Sequence, residues 1–301
     1  MTDTTSAPTL GHLDSGADTS FTRESPLRRV AAEPIMPLTV MRILVMDVAH
    51  TKVGAGVRDH SRFRQLPIRR FWGTSDAGLR LVFGDAETAR AAARQVYRFH
   101  DHVNGELGDP HAAWPEDEAY TAHDASLLLW VWATLVDSLE VTFTRWVRPF
   151  RPGEADAFYR DMRTWARFFG IPEELLPADR AAFAAYLDRM IGGPELAPTS
   201  TGRSQIEDVL WYRHWIVPGP VVRLFRIMAI GTLDPGLRER LDLALDDHDQ
   251  RLFDRVDDLL ARWYPRLPAA RTQLPYLYLL VRRPTIGLEA RLRGFWRQIR
   301  R

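Results

Sequence analysis

Residues 86–103 read AETARAAARQVYRFHDHV, and the spacing of their apolar residues sets the predicted fold class. Apolar positions recur three and four residues apart, the period of an α-helix with one face in a core. We therefore predict a helix over about 86–103. Its apolar face comprises Ala89, Ala93, Val96, His100 and Val103. His102 lies about 200° around such a helix from His100, so we expect it to face solvent or a polar edge.

Helical patterns continue along most of the chain. Asp124 is a favourable N-cap, and the run from Leu127 to Leu139 is apolar nearly all round, so this helix should be central. Asp179 is a second such cap, and Gly170 is a typical helix end. One further predicted helix has an apolar stripe of Phe158, Met162, Trp165 and Phe169. Another carries Phe183, Leu187 and Met190 and ends at Gly192-Gly193-Pro194. Three more helices are predicted over residues 204–215, 220–230 and 234–263. No run alternates in the strand period, so the predicted class is all-α.

Composition indicates an ordinary globular protein. The 301 residues are 46% hydrophobic and 26% charged, with 40 basic and 39 acidic side chains and a net charge of +1. This balance provides no global field for nucleic acid or an acidic membrane. The chain has no cysteine, which excludes thiolate-ligated haem, iron–sulfur clusters and cysteine nucleophiles. We predict a single large helical domain over residues 31–301, preceded by a solvated, flexible tail over residues 1–30.

The sequence also bears on location. The first 25 residues lack the basic start and apolar run of a signal peptide, so we expect a cytoplasmic protein. Residues 127–136 and 221–230 are too short or too interrupted by charge to span a bilayer, and buried core helices are expected instead. Residues 282–301 form a basic amphipathic segment. A helix packed on the domain is favoured there, and weak contact with anionic lipid, or with RNA, stays open.

Histidine is the most informative residue type for chemistry. His100 lies on an apolar stripe, which suits a neutral imidazole bound to haem iron with side chains such as Val96 and Val103 against the porphyrin. A hydrogen-bonded core histidine is the alternative, and by position alone it is the commoner case. A zinc site is less favoured because no His-Glu-x-x-His motif occurs. The sequence also lacks the glycine-rich loops of nucleotide-binding proteins and the Gly-x-Ser-x-Gly elbow of serine hydrolases, so neither function has support. Arg70 and Thr74 are four residues apart and so share a helix face, where they could contact a haem propionate or bound oxygen. The alternative is that Arg70 is a surface arginine and Thr74 a helix-capping residue.

Several short segments together resemble the latex-clearing-protein (rubber-oxygenase) and MpaB-type oxygenase family. They are His50, residues 54–63 (GAGVRDHSRF), 67–74 (PIRRFWGT), 82–84 (VFG), 100–105 (HDHVNG), 120–122 (YTA) and 130–135 (WVWATL). Their order and spacing agree with the family, and the likeness covers about residues 41–265, with looser agreement at 218–220 and 267–268.

The resemblance implies an all-helical fold with one b-type haem, His100 as the proximal iron ligand, and Arg70 and Thr74 near the haem. The best-studied members of the family cleave carbon–carbon double bonds of isoprenoid chains with dioxygen. Three positions depart from the family pattern. Gly73 stands where rubber-cleaving members carry lysine, Trp132 stands where many relatives have histidine, and Thr51 replaces a common proline.

These departures, with the expected cytoplasmic location, favour a small apolar molecule over polyisoprene and a bulkier aromatic pocket wall at Trp132. We therefore predict a haem b-dependent oxygenase that uses dioxygen on an apolar, unsaturated small molecule, with Arg70 and Thr74 as catalytic residues. The helix after Asp124 and the stripe over 158–169 would wall its cavity. The alternatives are a non-oxygenating cyclase, isomerase or ligand carrier of the same fold, a haem-free scaffold with a structural His100, and a membrane- or nucleic-acid-binding module.

Overall fold

The structure is a computed structural model that describes residues 21–61, 67–197, 199–211 and 217–267, with residues 67–72 and Thr74 described by their backbone only. The chain is mostly helical, as predicted. The α-helices are α1 (Pro26–Ala31), α2 (Val40–Ala49), α3 (Thr51–His60), α4 (Pro67–Phe83), α5 (Ala86–His100), α6 (Ala125–Trp146), α7 (Glu154–Arg167), α8 (Arg180–Gly192), α9 (Ser200–Leu210), α10 (Gly219–Thr232), α11 (Pro235–Arg240) and α12 (Asp247–Trp263). Short 3-10 turns occupy Met36–Thr39, Glu173–Leu175, Pro194–Leu196 and Tyr264–Arg266.

Helix α6 is the centre of the fold. Asp124 caps it, because its carboxylate accepts a hydrogen bond from the backbone N–H of Ser126 at 2.8 Å. Helices α2, α7 and α12 pack around it. In the part of the chain that the structure describes, α6 is the one helix long and apolar enough to cross a membrane, so the expectation that this run is too short is wrong. It is nevertheless mostly buried within the fold, as expected of a core helix.

A buried arginine ties three helices together. Arg42 on α2 is 3% exposed, and its guanidinium donates to Asp137 Oδ2 at 2.5 Å and to Ser138 Oγ on α6. Its Nε donates to the carbonyl of Thr232, the last residue of α10, at 3.1 Å. A buried guanidinium is tolerated only when its charge is paired and its N–H groups are bonded, so this network fixes α2 against both neighbours.

One feature of the fold departs from the all-α prediction. Strand β1 (Asn104–Glu106) pairs antiparallel with β2 (Ala119–Thr121), and Gly105 lies opposite Tyr120. Three-residue strands are too short to show an alternating pattern, which is why the sequence did not indicate them. The ribbon also shortens the helix predicted over 86–103. Helix α5 ends at His100, and Val103 lies beyond it.

Helical structure begins earlier in the chain than composition predicts. Within the predicted tail, Leu27 and Val30 of α1 are each 1% exposed, and the Ser25 hydroxyl donates to Asp161 Oδ2 on α7 at 2.6 Å. The prediction of a solvated tail is therefore wrong for α1. A six-residue helix contributes too few apolar positions for a recognisable period.

The C-terminal half differs from prediction mainly at helix ends. Thr199 caps α9, which begins four residues before the predicted start at Ser204, and the pattern over 234–263 divides into α11 and α12. Between them Asp242 adopts a left-handed backbone with φ 55°, and Asp246 caps α12. Pro235 opens α11 as predicted. The basic segment over residues 282–301 lies outside the described residues.

Candidate functional site

The helical hairpin of α4 and α5 carries the predicted site residues Arg70, Thr74 and His100. Its turn is tight, because a Cβ on Gly84 would lie 2.4 Å from the carbonyl oxygen of Arg80. Across the hairpin Arg80 Nη1 donates to Gln95 Oε1 at 3.1 Å. Thr74 lies within α4 and His100 is the last residue of α5, so the two predicted site residues belong to the same helical hairpin.

Helix α4 carries the predicted polar pair. Arg70 and Thr74 are both within it, one helical turn apart, so their backbone placement agrees with the i, i+4 expectation. Their side chains lie outside the description, and their proposed roles stay predictions. At Gly73 an added Cβ would meet no described atom within 4 Å.

His100 is the last residue of α5 and is half-buried. The stripe that leads to it is apolar, with Ala89 and Ala93 in the core and Val96 half-buried. His102 is exposed, as predicted, and its Nδ1 lies 3.1 Å from the carbonyl oxygen of Arg98. Of the two neighbouring histidines, only His100 combines an apolar helix face with partial burial.

Val103 lies against the β-ribbon instead of extending the α5 stripe. It packs on a small buried cluster of Ala55, Leu107 and Tyr120. Its Cγ1 would be 3.5 Å from a Cβ added to Gly56, so α3 approaches it closely. The predicted haem contacts of Val103 and Val96 remain predictions.

His123 adjoins His100, and sequence reasoning gave it no role. The two rings are 6.1 Å apart and nearly perpendicular, and Tyr97 lies 4.3 Å from the His123 ring. His123 Nε2 is 2.8 Å from Asp101 Oδ1. Because His123 lies in the turn between β2 and α6, it belongs to no periodic pattern that could have indicated it.

His50 forms a second buried imidazole, at the break between α2 and α3. It is 3% exposed, and its Nδ1 has no hydrogen-bond partner among the described residues. Its ring lies 5.9 Å from Trp114 and 6.5 Å from Trp130. Burial lowers the pKa of His50 from 6.5 to about 4, and the nearby charge of Lys52 contributes in the same direction. His50 is therefore a neutral imidazole in an aromatic environment at neutral pH.

The segment between the two strands covers His50. Trp114 lies over it, with the His111 ring stacked on the indole at 4.8 Å and the Lys52 ammonium 5.0 Å from the indole centre. Lys52 also pairs with Glu118 at 2.7 Å. On the far side Asp109 accepts from the backbone N–H of Thr201, in the first turn of α9. These contacts hold the indole in place and exclude water from His50.

Lowering the pH should destabilise the fold through His50. The unfolded state, with a pKa of 6.5, binds more protons between pH 6.5 and pH 4 than the folded state, so stability falls as pH falls through this window. The loss should reach about 3 kcal/mol near pH 4. Urea unfolding of wild type and His50→Gln between pH 6.5 and pH 4 measures the free energy of unfolding, and this energy should depend less on pH in the variant. Equal slopes in the two proteins would contradict it.

Trp132 is a core residue on the opposite side of α6 from Trp130. Its indole N–H donates to the carbonyl of Met162 on α7 at 2.8 Å, and its ring contacts Tyr159 and Phe183. Residues two apart on a helix point about 200° from each other, so Trp132 faces away from His50 and Trp130. This indole fills the core between α6, α7 and α8, and the expected pocket wall at Trp132 stays a prediction.

The donors present fit a haem better than a metal bound by protein alone. Within residues 21–61, 67–197, 199–211 and 217–267, no three histidine or carboxylate side chains are grouped to hold a metal ion. A half-buried histidine at the end of an apolar stripe suits an iron whose other in-plane ligands belong to a macrocycle. The unpaired, buried Nδ1 of His123 supplies a polar contact beside it.

Comparison with known proteins gives the family. Residues 27–263 match the family model described as the catalytic domain of ER-bound oxygenase mpaB/B' and rubber oxygenase. The chain belongs to this MpaB and rubber-oxygenase family. The match contains His50, Arg70, Thr74, His100 and His123, so every residue of the candidate site lies within the family's catalytic domain. The resemblance seen in the sequence is thereby confirmed.

Relatives within the MpaB and rubber-oxygenase family include two mycobacterial proteins. Uncharacterized proteins of Mycobacterium bovis and Mycobacterium tuberculosis are each 31% identical to this chain over 225 residues, which is 70% of this chain and 82% of theirs. Neither protein's name states an activity. No solved structure matches the chain significantly.

Proposed function

We propose that this protein is a haem b-dependent oxygenase that acts with dioxygen on an apolar, unsaturated small molecule. The observation that carries the proposal is the position of His100. It is half-buried at the end of an apolar helix stripe, on the same hairpin as Thr74, within the catalytic domain of an oxygenase family. Haem would supply the activation of dioxygen, and the rubber oxygenases of this family are haem enzymes.

The chain's own residues would hold and orient the reactants. The neutral imidazole of His100 would bind the iron, and Val96 would offer apolar surface beside it. Arg70 would pair with a carboxylate of the cofactor, since a guanidinium binds carboxylates in a two-pronged manner, and Thr74 would donate a hydroxyl hydrogen bond at the reacting side. Apolar side chains around these groups would exclude water and admit an apolar substrate.

Gly73 favours a small, freely diffusing substrate. The position is exposed, and the space around it is open among the described atoms. Rubber-cleaving relatives carry a lysine there, so this chain lacks an ammonium group next to Thr74. We propose an open approach to the site for a soluble apolar molecule in the cytoplasm.

Introducing that lysine should alter the site without harming the fold. Gly73→Lys meets no steric obstacle, and replacing an exposed helix glycine should stabilise α4 by about 0.5–1 kcal/mol. If haem binds beside Thr74, the new ammonium should shift the haem absorption spectrum and weaken azide binding. Gly78→Lys is the matched control, because Gly78 lies on the same helix and is equally unobstructed. Identical spectra and azide affinities for both variants would place the haem elsewhere.

An oxygen-uptake screen tests the activity. Haem-loaded protein is supplied with matched pairs of unsaturated and saturated apolar compounds. Cleavage of a double bond by one dioxygen gives two carbonyl products, each with one oxygen atom from the gas, so labelled dioxygen should appear in both. Equal uptake with saturated partners would contradict the proposal. Conversion that proceeds without dioxygen would instead support a cyclase or isomerase of the same fold.

A further inference from the structure

The turn between β2 and α6 holds His123 firmly beside the end of α5. The backbone N–H of Ala122 donates to the carbonyl of Val103 at 2.8 Å, which fastens the turn to the segment after His100. Tyr97 lies against the His123 ring, one turn before His100 on α5. Asp101, the residue after His100, accepts from His123. His123 is thus held by Tyr97, one turn before His100, and by Asp101, which follows it.

The Asp101 contact determines which His123 nitrogen carries the hydrogen. An ionised carboxylate can only accept, so the 2.8 Å contact requires the hydrogen on Nε2. In the neutral ring Nδ1 is then an acceptor with a free lone pair. That nitrogen is buried and has no partner among the described residues. Leaving a buried acceptor unpaired costs about 1–3 kcal/mol, so a bound state that supplies a donor is favoured.

We propose that His123 is a positioning residue for His100, and that its Nδ1 accepts the hydrogen of the His100 ring nitrogen that does not bind iron. This inference rests on the proposed function. Histidines that bind metals nearly always donate their second N–H to a carboxylate, carbonyl or water, which fixes the ring and makes it a stronger ligand. Here an Asp101–His123 pair takes that place. The ring centroids are 6.1 Å apart, and a rotation of the His100 side chain would turn its N–H towards the held His123 ring.

A purely structural role leaves part of this arrangement unexplained. The ring contact with Tyr97 and the bond to Asp101 would stabilise the turn equally well with only one polar atom on residue 123. The second nitrogen is buried next to the one half-buried histidine at the end of α5. A hydrogen-bond donor from His100 would give this nitrogen a partner.

Three variants separate the roles. His123→Phe keeps the ring contact and removes the acceptor, His123→Asn restores a polar group near the Nδ1 position, and His102→Phe is the matched control on an exposed histidine. For the haem-loaded protein we measure the hemin dissociation constant, the iron–histidine stretching frequency of the ferrous form, and the midpoint potential. His123→Phe should weaken hemin binding about 10- to 100-fold. It should also lower the stretching frequency and raise the potential, and His123→Asn should restore part of each.

The outcomes distinguish this inference from the proposed function. Wild-type protein that binds no haem overturns both. Haem-loaded His123→Phe with the stretching frequency and potential of wild type overturns the positioning role alone. If His123→Phe does not fold, Asp101→Ala gives the same test, because it frees His123 to move its hydrogen to Nδ1. That variant should show the same direction of change, and unchanged values would overturn the role.

Discussion

Replacing His100 by alanine is expected to abolish the haem absorption band of this protein. His100 is the one residue proposed to bind the iron directly, so the loss in hemin affinity should exceed the roughly 100-fold upper range typical of residues that only support a metal ligand. His102→Ala is the control, since that side chain is exposed and its Nδ1 lies 3.1 Å from the Arg98 carbonyl oxygen. Absorption titration with hemin measures both variants, and free imidazole should restore the band to His100→Ala.

A different histidine could emerge as the ligand, and the structure indicates which. His50 is buried, neutral at pH 7 and has an unpaired Nδ1. If the haem band persists in His100→Ala and disappears in His50→Ala, then His50, at the break between α2 and α3, is the iron ligand. That result would also overturn the positioning role of His123, because the ring of His123 adjoins that of His100.

Removing the guanidinium of Arg42 should produce the largest loss of stability. Arg42→Ala leaves Asp137 and the Ser138 hydroxyl without their buried partner, and breaking a buried ion pair on one side costs about 3–5 kcal/mol. Urea unfolding followed by circular dichroism measures the change. Arg145→Ala is the control, because the Arg145–Asp257 pair is 38% exposed on the arginine side and should lose less than about 1 kcal/mol.

A double variant tests the reason for that loss. Replacing both partners by apolar residues, as in Arg42→Met with Asp137→Leu, removes the unpaired charge and should recover much of the stability. If Arg42→Ala lost no more than Arg145→Ala, the network between α2, α6 and α10 would not stabilise the fold.

Local signals predicted the helices well where caps and apolar runs coincide. Asp124 and Asp179 both cap helices in the structure, and α6 occupies the predicted centre. The β-ribbon and α1 were missed because each contributes too few residues for a period. The division after Arg240 depends on a left-handed Asp242, which no local pattern marks.

The site was predictable only where a helix face defines it. His100 stood out because it shares a stripe with alanines and Val96. His50 and His123 lie outside helices, and their burial depends on Trp114 and on the ribbon, which approach from other parts of the chain. The departure of Trp132 from the family pattern predicts a pocket wall, and nothing in the sequence indicated that its indole N–H donates to the Met162 carbonyl within the core.

The central claim is that this chain holds one haem b through His100. The most direct measurement is the pyridine haemochrome of wild-type protein produced with a haem precursor, quantified against protein concentration. We expect a haem b spectrum at about one haem per chain, with an absorption band that disappears in His100→Ala. A colourless protein that also fails to bind added hemin would contradict it.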